Sequence, residues 1–174
     1  MERLEAIRRA FGKLLEGCGV AAGIATFAIM GLVVANALLR YGFGAPIAGT
    51  LEITESALPF VIFLSLALTQ YQGGHIRVVL LTQHLPPGPG RAVRVVVLLA
   101  GLGLFAWAAW ASFGMAAKSF AIGEMERGAV RFPIWPVKMV VCVGLLLLAI
   151  QFLLDALYAA LGGSLPDSEP EQAE

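Results

Sequence analysis

GCGVAAGIATFAIMGLVVANALL, residues Gly17 to Leu39, holds no Asp, Glu, Lys or Arg in 23 positions. At 1.5 Å per residue a helix of that length reaches about 35 Å, enough to cross a hydrocarbon core of about 30 Å. Lipid offers the backbone no hydrogen bonds, so a helix that satisfies its own N–H and C=O groups is the expected form. Two more charge-free runs follow, 19 residues from Ser56 to Gly74 and 23 from Val95 to Ala117. A fourth, Met139 to Leu154, has only 16, but it extends back through Ile134-Trp-Pro-Val and forward past Asp155 into Ala-Leu-Tyr-Ala-Ala-Leu. Lys138 and Asp155 then stand near its ends, where they are expected to snorkel toward headgroups. The expected fold is an all-α membrane protein with four transmembrane helices, at about 17–39, 52–72, 92–117 and 134–159.

Composition agrees with the spans. Of 174 residues, 59% are hydrophobic and 14% charged, and the mean hydropathy is +0.82. Soluble domains run near about 45–50% and about 25%, so a water-soluble globule is excluded. Twelve basic residues balance twelve acidic ones. That leaves no basic field for nucleic acid, and none is expected as a partner.

Before the first span, Leu4, Ile7, Phe11, Leu14 and Leu15 recur at helical spacing between Arg3, Arg8, Arg9 and Lys13. Residues 1–16 therefore predict an amphipathic helix lying at the interface, kept as an anchor because three further spans follow the first. The end of the chain, 162–174, is acidic and lacks large apolar residues, which predicts disorder. Lys and Arg in the flanks and loops divide seven to five in favour of both termini lying inside, and the first span's own flanks read four against one. Both termini are therefore expected to be cytoplasmic.

No catalytic constellation is present: no G-x-S-x-G, no H-E-x-x-H and no Walker loop. Cys18 and Cys142 lie far apart in apolar runs, and His75 and His84 fall between spans, so neither a redox pair nor haem ligation is expected. No ionisable residue occupies the middle of a span, which leaves the chain without an evident ion pathway of its own. A passive four-helix module of this kind points to an accessory subunit, not an enzyme, with no catalytic, substrate-binding or metal residues and no cofactor. Thr50 is a candidate N-cap for span two, with Glu52 and Glu55 on one face meeting the positive end of its dipole. Pro59 lies within that span, and Asn36 near the outer end of span one. Gly19 and Gly23, and the run Gly101, Gly103 and Ala106, permit close helix approach. Trp107 and Trp110 are expected to be buried against another helix or subunit; Trp135, beside Pro133 and Pro136, reads as an interfacial anchor. The apolar segment 75–85, too short to span, is expected along the inner surface, with His75 structural.

Three stretches carry a family resemblance: Asn36-Ala-Leu-Leu-Arg40-Tyr-Gly-Phe-Gly-Ala-Pro46-Ile-Ala-Gly49-Thr50-Leu-Glu52, then Gly73-Gly-His75-Ile-Arg77-Val78, then Pro133-Ile-Trp135-Pro136. In order and spacing, from about Gly17 to Leu157, the chain resembles the small integral-membrane subunit of the tripartite ATP-independent periplasmic (TRAP) transporters. The resemblance implies a larger membrane subunit that carries the substrate and sodium sites and moves as an elevator. It also implies a periplasmic solute-binding protein that delivers an organic acid, with the small subunit enlarging the static scaffold and helping to receive that protein. Asn36, Arg40, Pro46, Thr50 and Glu52 would belong to the first periplasmic turn, and His75 and Arg77 to the inner segment. Together with Glu55, Trp107, Trp110, Pro133 and Trp135 these are the candidate structural or subunit-interface residues. A different class of reading is a self-assembling four-helix transporter or channel, for which Ser65, Thr69, Ser112 and Gln151 are the available polar lining.

Overall fold

A computed structural model describes residues 2–73 and 87–162. Among the described residues there are four helices: α1 (Glu2–Phe43), α2 (Thr50–Tyr71), α3 (Pro87–Ala121) and α4 (Trp135–Ala160). Each is long and apolar enough to cross a membrane, and among the described residues there is no strand, only an isolated bridge between Met125 and Pro133. The expectations for His75, Arg77, His84 and the segment around them, and for the acidic tail beyond Gly162, lie outside the described residues.

The first helix differs in extent from the sequence reading. Residues expected as a separate surface helix run without a break at Glu16 and Gly17 into the first span, giving one helix of 42 residues. At 1.5 Å per residue it is about 63 Å long, roughly twice the hydrocarbon thickness. No proline interrupts it, and Gly17 and Gly19 lie among residues whose helical hydrogen bonds continue across them. Helix α2 likewise passes through Pro59 and reaches Tyr71. Helix α4 opens on Trp135-Pro136, a position where proline's missing N–H costs nothing.

The helices stand in a single layer rather than a closed bundle. Helix α1 packs on α2, α2 on α4, and α4 on α3, so the spatial order is α1, α2, α4, α3. The backbone of α3 approaches neither α1 nor α2, and α1 meets α4 only briefly. Helices α2 and α4 are both interior in this order, and α4 is the more buried of the two: 39% of its most apolar stretch is buried, against 6% in α1, 6% in α2 and 11% in α3.

Small residues set the close approaches, as expected where lipid supplies no hydrophobic drive between helices and packing contact must bring them together. Gly144 of α4 lies directly on the Phe63 backbone of α2, and a side chain there would occupy the same space. Gly101 of α3 receives the Phe152 ring, which also stacks on Phe105 at 5.3 Å between centroids. Gly19 of α1 receives Leu68, whereas Gly23 and Gly103 face open space. The core gathers Leu15, Ala67, Leu98, Leu148, Phe152, Ala156 and Ala159 toward the end of the layer where the chain begins.

Candidate functional site

Polar side chains collect at the two ends of the layer. The N-terminal rim combines the start of α1, the end of α2, the start of α3 and the end of α4. The opposite rim combines the end of α1, the 44–49 turn, the start of α2 and the 122–134 loop with the start of α4.

At the N-terminal rim, Asp155 is the centre. It accepts from Arg8 Nε at 3.2 Å, Gln70 Nε2 at 3.0 Å and Gln151 Nε2 at 2.9 Å, joining α1, α2 and α4. The Arg8 guanidinium lies over two aromatic rings, 5.2 Å from that of Tyr71 and 5.3 Å from that of Tyr158, and so gains a cation–π contact with each. Tyr158 in turn reaches Glu5. Asp155 is only 2% exposed, so the snorkelling expected of it does not occur: three donors on neighbouring helices hold the carboxylate inside. Gln151 is fully buried, and its Oε1 is the one buried side-chain polar atom without a partner among the described residues. Nearby, Arg91 of α3 donates to the carbonyls of Ala159 and Ala160, placing a cation on the negative end of α4.

The opposite rim is built differently. Helix α1 ends as Gly44 turns left-handed (φ 64), and the turn is fixed by Asn36 Oδ1 accepting from the Ile47 N–H at 2.8 Å. Gly49 (φ 81) occupies the N-cap of α2, so Thr50 is not the cap expected. Instead Thr50 sits buried in the first turn and its hydroxyl donates back to the Ile47 carbonyl at 2.9 Å, because the left-handed glycine aims it at the turn. Glu52 accepts from the Ala129 N–H, and its carboxylate lies where any side chain at Gly128 would collide with it. This ties α2 to the 122–134 loop, whose two arms pair through Glu126 N–H to Phe132 O at 2.9 Å and Ile134 N–H to Glu124 O at 3.1 Å. Lys138 Nζ, also expected to snorkel, donates to Glu124 Oε2 and Ser119 Oγ, each at 2.6 Å. The Lys138 ammonium first, and then the Ser119 hydroxyl, hold the Glu124 carboxyl below its ordinary value.

The structure brings some of the candidate residues together and separates others. Asn36 and Thr50 meet at Ile47, and Glu52 meets the loop; Arg40, Pro46 and Glu55 are exposed and do not join them. Trp135 packs edge-on to Phe120 at 5.3 Å, beside an exposed Pro133. Trp107 and Trp110 are 64% and 74% exposed, so none of the described helices covers them. Arg127 and Arg131 are exposed and, with Met125 and Glu126, line an open depression of about 400 Å³. The hydroxyls of Ser65 and Thr69 are spent on carbonyls of their own helix, Ser112 is buried, and Gln151 is engaged with Asp155. Among the described residues no group of three or more His, Cys, Asp or Glu side chains is placed to hold a metal ion.

Sequence reading did not anticipate the Arg8–Gln70–Gln151–Asp155 cluster. Its one signal was the pair of polar residues Gln151 and Asp155, four apart in the most apolar helix of the chain, a spacing that puts both on one face.

A family model described as "Tripartite ATP-independent periplasmic transporters, DctQ component" matches residues 29–162. Comparisons with curated proteins and with solved structures find no match.

Proposed function

Because the chain belongs to the DctQ component family of the tripartite ATP-independent periplasmic transporters, and so is the small membrane subunit of such a transporter, we propose that it is a static scaffold in a sodium-coupled importer of organic acids. In this reading the larger membrane subunit binds substrate and sodium, and a periplasmic solute-binding protein delivers the substrate. The chain lies in the inner membrane with both termini cytoplasmic, which makes the rim of Asn36, Glu52 and the 122–134 loop the periplasmic one.

The single-layer order of the helices carries the proposal. A closed bundle turns its helix faces on one another, whereas this layer leaves apolar side chains such as Phe27, Trp107 and Trp110 uncovered on its edge helices. Packing of such surfaces against another membrane protein needs only shape complementarity and small-residue contact, the forces that associate helices within lipid. The exposed Arg127 and Arg131 on the outer loop offer a charged surface to an incoming soluble protein. Against the channel reading, Ser65, Thr69 and the Gln151 amide nitrogen bond within the chain and Ser112 is buried, which leaves little polar surface for a shared lining.

Gentle detergent extraction of the tagged chain from its native membrane, with light scattering and mass spectrometry, tests the scaffold. A one-to-one complex with a much larger multi-span protein is expected. A homo-oligomer with nothing attached would overturn the reading.

A further inference from the structure

We propose that Trp107 and Trp110, on the uncovered edge of α3, donate their indole N–H groups to oxygen acceptors on the larger membrane subunit, a hydrogen-bonded seam that rests on the scaffold reading. Both side chains are largely exposed, and neither indole N–H has a partner among the described residues. Gly103, Trp107, Trp110 and Gly114 follow at steps of four, three and four, which puts them on one face of α3. Gly103 and Gly114 open on empty space to either side of the two indoles. A neighbouring helix can come close at such notches.

Depth makes the unpaired donors costly. Trp107 stands 13 positions after Arg94 and 11 before Lys118, and Trp110 stands 16 after and 8 before. At 1.5 Å per residue each is about 12 Å or more from either charged end. Between them, the Ala109 carbonyl accepts from Cys142 Sγ of α4 at 3.4 Å, which sets the pair level with the interior of α4, about 10 Å from Trp135 at its start. Water and headgroups, which serve the indoles of an interfacial belt, are out of reach there. Facing lipid tails, both N–H groups would stay unpaired in hydrocarbon.

The missing acceptor selects the occupant. The apolar surface of this face does not itself distinguish lipid from protein, but the two N–H groups do, because acyl chains carry no acceptor. A second copy meeting this edge with its own α3 brings two more donors, since an indole nitrogen accepts nothing. Meeting it with the exposed face of α1, it brings Val20, Ile24 and Phe27, all apolar. A different membrane protein fits: one that offers a hydroxyl, an amide, or a carbonyl freed at a helix break at mid-span. The Phe27 face makes no such demand, and shape alone suffices for its contacts.

The native complex provides the test. The unaltered chain and a variant carrying Trp107→Phe and Trp110→Phe are tagged differently and co-expressed, so that they compete for a limiting amount of the larger subunit. Quantitative mass spectrometry counts which chain that subunit captures. Phenylalanine keeps an aromatic ring and removes the N–H, and the double variant is expected about tenfold less often than the unaltered chain, as two membrane hydrogen bonds of ordinary strength would give. Trp135→Phe, at the rim, should compete evenly. Equal capture of the double variant overturns the seam and leaves the scaffold standing, whereas capture of neither chain by a larger subunit overturns both. A loss as large in Trp135→Phe also overturns the seam. Should the double variant fail to fold, 3-benzothienylalanine incorporated in place of Trp110 decides, because sulfur replaces the N–H in a ring of the same shape. Capture about threefold lower is then expected, and equal capture overturns the seam.

Discussion

The two rims spend their charges in opposite ways. At the N-terminal rim, Asp155 and Arg8 are withdrawn from solvent, covered by Tyr71 and Tyr158, and used to fasten three helices to one another. At the opposite rim, Lys138 and Glu124 stand about one third exposed and fasten a loop to the helix that follows it. The same chemistry, one cation and one carboxylate, thus has different weight in each place. Removing one member of a buried pair strands the other in low dielectric, whereas an exposed pair is replaced by water. The contrast teaches where this layer is held: α1 has only brief contact with α4, and the Arg8–Asp155 pair forms part of it.

The largest expected effect is therefore at Asp155. Asp155→Ala leaves Arg8, Gln70 and Gln151 without their common acceptor and should cost about 3 kcal/mol, the low end for breaking a buried pair. Thermal unfolding of the purified chain in detergent, followed by circular dichroism, would read this as a clear fall in midpoint, and the fall should persist in high salt because a buried pair is little screened. If Asp155→Ala and Lys138→Gln were equally mild, the distinction between the rims would be broken.

An intermediate effect is expected where the opposite rim does make a cross-element contact. Glu52→Ala removes the acceptor of the Ala129 N–H and frees the 122–134 loop from α2, at a cost of about 1.5 kcal/mol for a bond to an ionised group. Glu52→Gln keeps an acceptor oxygen in place and should recover much of it. Limited proteolysis within the loop is the direct readout: faster cleavage in Glu52→Ala than in Glu52→Gln sharpens the comparison, and cleavage of Glu52→Ala no faster than that of the unaltered chain would show that the carboxylate does not hold the loop.

The spans were legible because a charge-free interval of about 20 residues has few physical interpretations. The expected span at 52–72 falls on α2, and that at 134–159 on α4, since Gly49 and the Pro133–Pro136 stretch punctuate the chain there. The order of the helices was not legible. An apolar face such as that of Trp107 and Trp110 reads the same whether it meets lipid or protein, so sequence pattern does not say which helix lies inside. Asp155 was misjudged for a related reason. Near the end of a span a carboxylate is expected to reach for water, and its partner Arg8 lies 147 positions away among three other basic residues that face outward. At the other rim Asn36, Thr50 and Glu52 were recognisable as a group, but what they grip, the Ile47 peptide and the Ala129 N–H, is backbone and carries no side-chain signal.

The smallest effect is expected at Lys138 and Glu124, and its pH dependence separates it from the buried pair. The folded-state pKa of Glu124 is depressed below the ordinary value of 4.5, chiefly by the Lys138 ammonium. A depressed carboxyl contributes stability that is fully present above its unfolded value and is lost as pH falls through the folded one. The difference in unfolding midpoint between the unaltered chain and Lys138→Gln should accordingly be constant above about pH 5 and shrink below pH 4.5, where protonation of Glu124 makes the ammonium redundant. Added salt should shrink it too, since both side chains are open to solvent. A difference that held steady down to pH 3 and in salt would mean that Lys138 acts through its hydrogen bond to Ser119 rather than through the charge of Glu124, and the exposed rim would then resemble the buried one more than its geometry implies.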